Sequence, residues 1–371
     1  MKSDLSDITI GFLLIGGSHH ILHLIPPASE LAKAPHVKVI IYVRHQSEKI
    51  ICERVLRDLG LETHDVRVLT ANPFLKALSP KLSVLFGNIG RLKALDALVV
   101  AERTSTILRH WPGKFPIFIH TPHGAGDRAK SYDPRIRHFD HVLVAGDKDK
   151  ARMIEKQIVR DDNCFVTGYI KPFTVRRLSV ELPKLFPTDQ PIVLYNPHFH
   201  RTLSSWPEYG SELLEYFAKS QNFNFIVAPH MRLFDRASEA SRAHVEAFQK
   251  YPNIHIDLGS SRSTDMTYTH LADIYLGDVS SQVYEFLSEP KPCVFIGPET
   301  TSWQDNPDYA HWQYGQVCHS QNAVIDALET AFSDHERYKA VQIKGSRAAM
   351  GDPDWNPVIR AADRILSILR G

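Results

Sequence analysis

The sequence predicts an α/β protein of two doubly wound, Rossmann-like domains facing a central cleft. Three observations predict it. Short β-branched and apolar runs alternate with longer helical patterns along the chain. A proline-rich break splits that alternation into two series. The length, 371 residues, exceeds what one hydrophobic core normally serves.

In the first series the apolar runs are Ile8–Ile15, Val37–Val43, Val66–Leu69, Ala97–Ala101, Pro116–His120, His141–Ala145 and Cys164–Thr167. Helical patterns at Ile21–Lys33 and Ser47–Leu59 lie between them, the second closing at Gly60. The break, Lys171 to Pro191, holds four prolines and reads as a connection between domains. The second series has strands at Ile192–Tyr195, Phe223–Ala228, Ile254–Leu258, Asp273–Leu276 and Cys293–Ile296. Its helices are expected at Glu212–Lys219, Arg236–Lys250 and Ser281–Leu287. After Val317-Cys318 come helices at Asn322–Phe332 and His335–Ala349, then an amphipathic helix at Val358–Leu369. The expected domains are residues 1–175 and 176–371.

Composition narrows the function classes. A net charge of +1 gives no global case for nucleic-acid binding. No apolar run approaches the roughly 18 residues of a membrane span. Ile8–Ile15 follows Asp4 and Asp7 and lacks a basic leader region, so it reads as a first strand. Peripheral attachment to a membrane stays open. Cys52, Cys164, Cys293 and Cys318 are far apart, without metal-ligand spacing, which suits reduced thiols in the cytoplasm.

Ligands of open α/β sheets bind beyond the carboxyl ends of strands, so residues just after each apolar run carry the argument. Gly16-Gly17-Ser18-His19-His20 follows the first run, either as a ligand turn or a structural one. His123-Gly124 follows the fifth. Its imidazole titrates near neutrality and suits a general base, and the glycine permits close backbone approach. Asn196-Pro-His198-Phe-His200-Arg201 offers a cation and imidazoles for phosphate oxygens. His198-x-His200 lacks the partners of a metal motif, and no metal site is expected. His230 sits beside Arg232 at the next strand end. Gly259-Ser260 is small and polar, suited to a base or ribose.

Asp278-Val-Ser280-Ser281 closes the apolar run at Leu276 and opens a helical pattern. Unpaired N–H groups and the positive helix end suit a phosphate, though Ser280 serves equally as a plain cap. Glu285, one turn on, can accept from ribose hydroxyls. Asp147-Lys-Asp149 has the letters of a metal motif but begins a helix, and a charged surface role is expected.

In order and spacing, His123-Gly124, Thr167-Gly-Tyr169, Tyr195-Asn-Pro-His-Phe-His-Arg201, Ala228-Pro-His230 and Asp278-Val-Ser-Ser281 resemble the CDP-glycerol glycerophosphotransferase family of teichoic-acid-type polymer synthesis. The resemblance runs from about residue 115 to 300. It implies a GT-B fold, metal-independent transfer and no cofactor. The acceptor side would be the first domain, and the second would bind a nucleotide diphosphate donor. His123 becomes a base or phosphate contact, His230 a catalytic phosphate contact, and Ser280 and Ser281 phosphate binders. The helix at about 358–369 would cross back to the first domain. The chain departs from the family pattern after the His-Gly, where Ala-Gly-Asp-Arg128 replaces the usual proline and basic residue, and in lacking a threonine after Tyr195. A sugar nucleotide fits the same framework.

The expected function is transfer of a glycerophosphate or glycosyl group to a hydroxyl acceptor in cell-surface polymer synthesis. The acceptor is expected to be lipid-linked or polymeric. Alternatives are a UDP-sugar 2-epimerase-like isomerase, with Asp127, Asp278 and Glu285 moving protons, and a non-catalytic nucleotide-binding module.

Overall fold

The computed structural model describes residues 7–61, 65–76, 79–127, 132–178 and 182–371. Seven strands form the first sheet: β1 (Ile8–Leu14), β2 (Val37–Val43), β3 (Asp65–Val68), β4 (Ala97–Val100), β5 (Ile117–His120), β6 (His141–Val144) and β7 (Cys164–Val166). Six form the second: β8 (Ile192–Asn196), β9 (Asn224–Val227), β10 (Ile254–Ile256), β11 (Ile274–Gly277), β12 (Cys293–Ile296) and β13 (Gln316–Cys318). Every pairing is parallel.

The orders are β3-β2-β1-β4-β5-β6-β7 and β10-β9-β8-β11-β12-β13. Each order reverses in mid-sheet, at β1/β4 and at β8/β11. Such a reversal opens a crevice beyond the two strands' carboxyl ends. Both domains are therefore Rossmann-like, as the alternation predicts.

The strands are continuously apolar because both sheet faces are covered. On one face of the first sheet, Ile10, Phe12 and Leu14 pack with Leu24, Ile25 and Ala28 of helix Ile21–Leu31. On the other, Leu13 and Ile15 join Tyr42, Leu98 and Val100. Helix Pro357–Arg370 adds Val358, Ala361, Ala362 and Ile365 to the first face. It starts cleanly: Asn356 accepts from the N–H groups of Val358 and Ile359, and Pro357 needs no donor at that position.

Two compact units result. Unit 1 comprises Met1–Ala125, Tyr132–Ser179 and Ala348–Gly371, and unit 2 comprises Gly126–Ser131 and Val180–Arg347. A short segment directly after His123-Gly124-Ala125 thus belongs to the second unit, whereas the sequence division leaves residues 1–175 unbroken.

Several elements differ from expectation. The break begins as a helix, Ile170–Arg177. Pro172 lies in its first turn, where N–H groups lack intrahelical partners anyway. Val317-Cys318 belongs to a thirteenth strand too short to show a period. Asp149 is buried, not a surface charge, and accepts a 2.7 Å hydrogen bond from the Tyr132 hydroxyl. Helix Ile21–Leu31 runs through Pro26 and Pro27, as the pattern predicts. Neither proline can donate to the carbonyl four residues earlier, so Leu22 and His23 lack those intrahelical bonds.

Candidate functional site

In unit 1 the polar groups gather beyond β1, β4 and β5. Gly16-Gly17 turns the chain out of β1, with Gly17 at φ 137°. A Cβ on Gly16 would lie 1.9 Å from Cε1 of His20, so only glycine lets that ring fold onto the backbone. The turn presents His19 and His20 to His123, which follows β5. Ring centroids are 4.3 Å apart for His19–His20, 4.3 Å for His20–His123 and 5.0 Å for His19–His123.

The Nδ1 of His123 lies 3.2 Å from the Ala101 carbonyl oxygen. A carbonyl only accepts, so Nδ1 carries the hydrogen and Nε2 keeps its lone pair. That is the arrangement a general base needs. The Nδ1 of His20 is buried with no hydrogen-bond partner. Behind these rings, His23 Nε2 meets Thr121 Oγ1 at 2.9 Å.

Burial, then the cations Lys171 and Lys81, hold His19 down at about 4. Burial, then His123 and His19, hold His20 well below the ordinary imidazole value. Crowding by protein, then His19 and His23, push His123 downward too. The residue is nevertheless exposed, so water offsets part of that push. A neutral imidazole is the form that accepts a proton. Gly124 has open space where a Cβ would stand, so local packing does not require glycine there.

In unit 2 the groups gather beyond β8, β9 and β11. His198 Nδ1 accepts from the His200 backbone N–H at 2.9 Å, and His230 Nδ1 accepts from that of Arg232 at 3.2 Å. Each imidazole is thereby fixed with its hydrogen on Nε2, a donor suited to a phosphate oxygen. Phe199 packs between them, 4.4 Å from the His198 ring and 4.5 Å from that of His230. The Arg232 guanidinium lies 4.3 Å over Phe199. Arg201 is exposed and makes no ion pair among the described residues. His200 turns to Thr202 Oγ1 at 3.0 Å.

The Asp278 turn corrects part of the sequence reading. Its helix is short, Gln282–Phe286, so its dipole is small. Ser280 Oγ accepts from the Gln282 N–H at 3.3 Å, a capping role. Ser281 is exposed, and its side chain caps no N–H. Asp278, expected among the phosphate-binding residues, turns its carboxylate to the loop's own donors. Its buried carboxylate accepts from the backbone N–H of His198 at 2.9 Å, and from the N–H and hydroxyl of Ser205 at 2.7 and 2.9 Å. It ties the loop after β8 to the end of β11. Burial pushes its carboxyl up to about 6 against those donors.

Ser260 is likewise internal, its hydroxyl donating to Asp257 Oδ2 at 2.5 Å. Gly259, at φ 129°, provides the turn that allows this. Glu285 is buried in its helix, poorly placed for a ribose.

Sequence reading missed a buried network in unit 2. Tyr284 donates to both Asp127 oxygens at 2.7 and 2.8 Å, and His311 Nδ1 lies 2.8 Å from Oδ2. His311 Nε2 and Trp312 Nε1 reach the Asp278 carbonyl oxygen at 3.1 and 2.8 Å. Asp127, His311 and Trp312 therefore brace the Asp278 turn from behind. The clue in sequence was only an aspartate among small residues. Arg128, its neighbour, lies outside the described residues.

Solved structures share this fold. The UDP-GlcNAc 2-epimerase of Neisseria meningitidis, bound to UDP-GlcNAc, aligns with a TM-score of 0.65 at 14% identity, covering 98% of this chain and 100% of that one. The wall teichoic acid polymerase TagF aligns at 0.65 and 12% identity, covering 98% and 89%. The Staphylococcus aureus MnaA–UDP structure aligns at 0.65 and 13%, covering 98% and 97%. At these identities the likeness establishes the fold, the GT-B type of two Rossmann-like domains. No curated protein matches the chain by sequence. A family match spans residues 124–350, more than half the chain, and includes β6 through β13 with His198, Arg201, His230 and the Asp278 turn. On that match, the chain is a transferase belonging to the CDP-glycerol:poly(glycerophosphate) glycerophosphotransferase family.

Proposed function

We propose that the chain moves a glycerophosphate group from a CDP-glycerol-like donor to a hydroxyl at the growing end of a polymer. The family match over residues 124–350 carries this reading. Unit 2 holds the donor: Arg201 and Ser281 are exposed, and His198 and His230 carry fixed Nε2 donors, all at the ends of β8, β9 and β11. Unit 1 serves the acceptor. The acceptor oxygen attacks the glycerol-bearing phosphorus, and the bond from that phosphorus to the nucleotide breaks. The nucleoside monophosphate leaves, and the acceptor proton passes to Nε2 of His123. Preorganised donors around the departing phosphate stabilise its charge, each by several kcal/mol.

A lipid-linked acceptor would place the reaction at the cytoplasmic face of a membrane. Among the described residues no helix is long and apolar enough to cross one. Co-sedimentation with anionic vesicles tests this extension.

The reaction is tested by incubating the chain with CDP-glycerol and a glycerophosphate oligomer. Release of CMP with a new phosphodiester signal in phosphorus NMR is expected. His123→Ala should lower turnover at least about a hundredfold, while calorimetry shows nucleotide binding retained. Lost binding with normal turnover at saturation would remove the base role. Epimerised sugar from UDP-GlcNAc, without transfer, would favour the isomerase reading.

A further inference from the structure

The three histidines of unit 1 form a cluster that the proposed chemistry does not require. One base is enough for proton removal, yet His19, His20 and His123 each offer a ring nitrogen, and these three atoms all lie within 4.8 Å of one another. A tetrahedral zinc site, with Zn–N of about 2.0–2.1 Å, spaces its nitrogens about 3.4 Å apart. Small side-chain rotations close that gap. We propose that His19, His20 and His123 bind one first-row transition-metal dication of the Zn2+ class, leaving a fourth position open to an oxygen ligand.

Three observations carry the proposal. His123 has the second-shell arrangement of a metal-bound histidine: Nδ1–H faces the Ala101 carbonyl and Nε2 keeps its lone pair. His20 holds a buried Nδ1 without any partner, an uncompensated polar atom that a native interior rarely tolerates. The His20 ring packs against Gly16 where a Cβ would lie 1.9 Å from its Cε1, so the glycine turn is what admits the ring at this point. Neutral imidazoles are the ligand form, and the exposed edge of His123 gives the ion a way in. An all-imidazole set selects Zn2+ over Mg2+, which prefers oxygen ligands. The charges felt by these rings, Lys81 and Lys171, are cations. They oppose a dication, so the fourth ligand would have to be an anion, such as hydroxide or a phosphate oxygen, that offsets part of that repulsion.

The site rests on the geometry of unit 1 and not on the transferase reading, so its test needs no donor. The full chain, freed of metal by chelator dialysis, is titrated with Zn2+ and with Mg2+ by calorimetry, and with Co2+ by visible absorption. Expected are one Zn2+ per chain, no comparable Mg2+ binding, and an intense visible Co2+ band of tetrahedral type. His19→Ala and His123→Ala, whose rings are the less buried, should each weaken Zn2+ at least about tenfold. Exposed His110→Ala should not. Circular dichroism confirms folding, and the Co2+ spectrum of the parent needs no variant.

Unchanged affinity in both cluster variants, or an octahedral Co2+ spectrum, would overturn the site. So would protection of the fold by inorganic phosphate alone, with none by Zn2+. If His123 is the base, bound Zn2+ occupies its lone pair and inhibits transfer. Binding without inhibition upholds the metal site and removes the base role. Inhibition with affinity unchanged in the histidine variants would place the ion elsewhere and remove the metal site.

Discussion

Asp278 shows how a carboxylate at a strand end can serve the loop's own backbone. In sequence it stands where a phosphate binder would. In the structure its carboxylate gathers donors from His198 and Ser205, so it acts on the site by positioning. Asp278→Ala would leave those buried donors unpaired and should cost roughly 3–5 kcal/mol. Urea unfolding measures it, and a loss below about 1 kcal/mol would contradict the anchoring role. Ser260 is similar, its hydroxyl turned to Asp257. Polar residues after a strand look alike in sequence whether they face a ligand or satisfy the loop's own backbone. His123 stands out in the sequence because an imidazole before glycine at a strand end has few structural uses. Its neighbours His19 and His20 were visible as letters, but their convergence needed the parallel pairing of strands far apart in sequence. Asp127 and His311, 184 positions apart, left no local signal at all.

At the scale of elements, the strands were legible because both faces of each sheet are covered, which makes the runs unbroken. Helix ends were less so: the helix after β11 stops at Phe286, and the one in the proline-rich break was hidden by its own first-turn proline. The helix after β11 is short and its dipole small, so the proposed donor site relies on individual groups. Ser281 is exposed and its side chain caps no N–H. Ser281→Ala should therefore change stability by less than about 0.5 kcal/mol, yet weaken nucleotide binding about tenfold through one lost charge-assisted hydrogen bond. A thermal melt beside a calorimetric titration separates the two. Equal affinity for parent and variant would take Ser281 out of the donor site.

For the whole molecule, the two units should answer acid differently. In unit 1 the folded-state values of His19 and His23 fall to about 4, and that of His120 to about 3, chiefly through burial. Between their unfolded value of 6.5 and those folded values, the unfolded chain binds protons that the folded chain refuses. Their contribution is complete above 6.5 and drains away as pH falls toward 4. Asp278 in unit 2 has the opposite sign. Raised from 3.8 to about 6, it keeps its proton in the fold while the unfolded chain has lost it. Its contribution is complete below about 4 and is lost as pH rises to 6. Half-buried His255, also lowered, works against it in the same unit. Hydrogen exchange, corrected for intrinsic rates, should show β1–β5 losing protection before β8–β12 as pH drops from 6.5 to 4.5. The reverse order would refute this account.

The path of the chain between the units has a consequence for how the protein is made. Unit 2 draws nearly all its residues from one stretch, 180–347, whereas unit 1 needs Ala348–Gly371 as well as the first half of the chain. Synthesis runs from the amino end, and domains fold as their residues emerge. The first sheet is complete once β7 has appeared, but the core face shared with Val358, Ala361 and Ile365 stays uncovered until residues 357–370 are out. During that interval the nascent chain carries an exposed apolar surface while the whole second unit is being translated. The unit begun first is the last to be finished, and it is the one a chaperone would have most reason to hold.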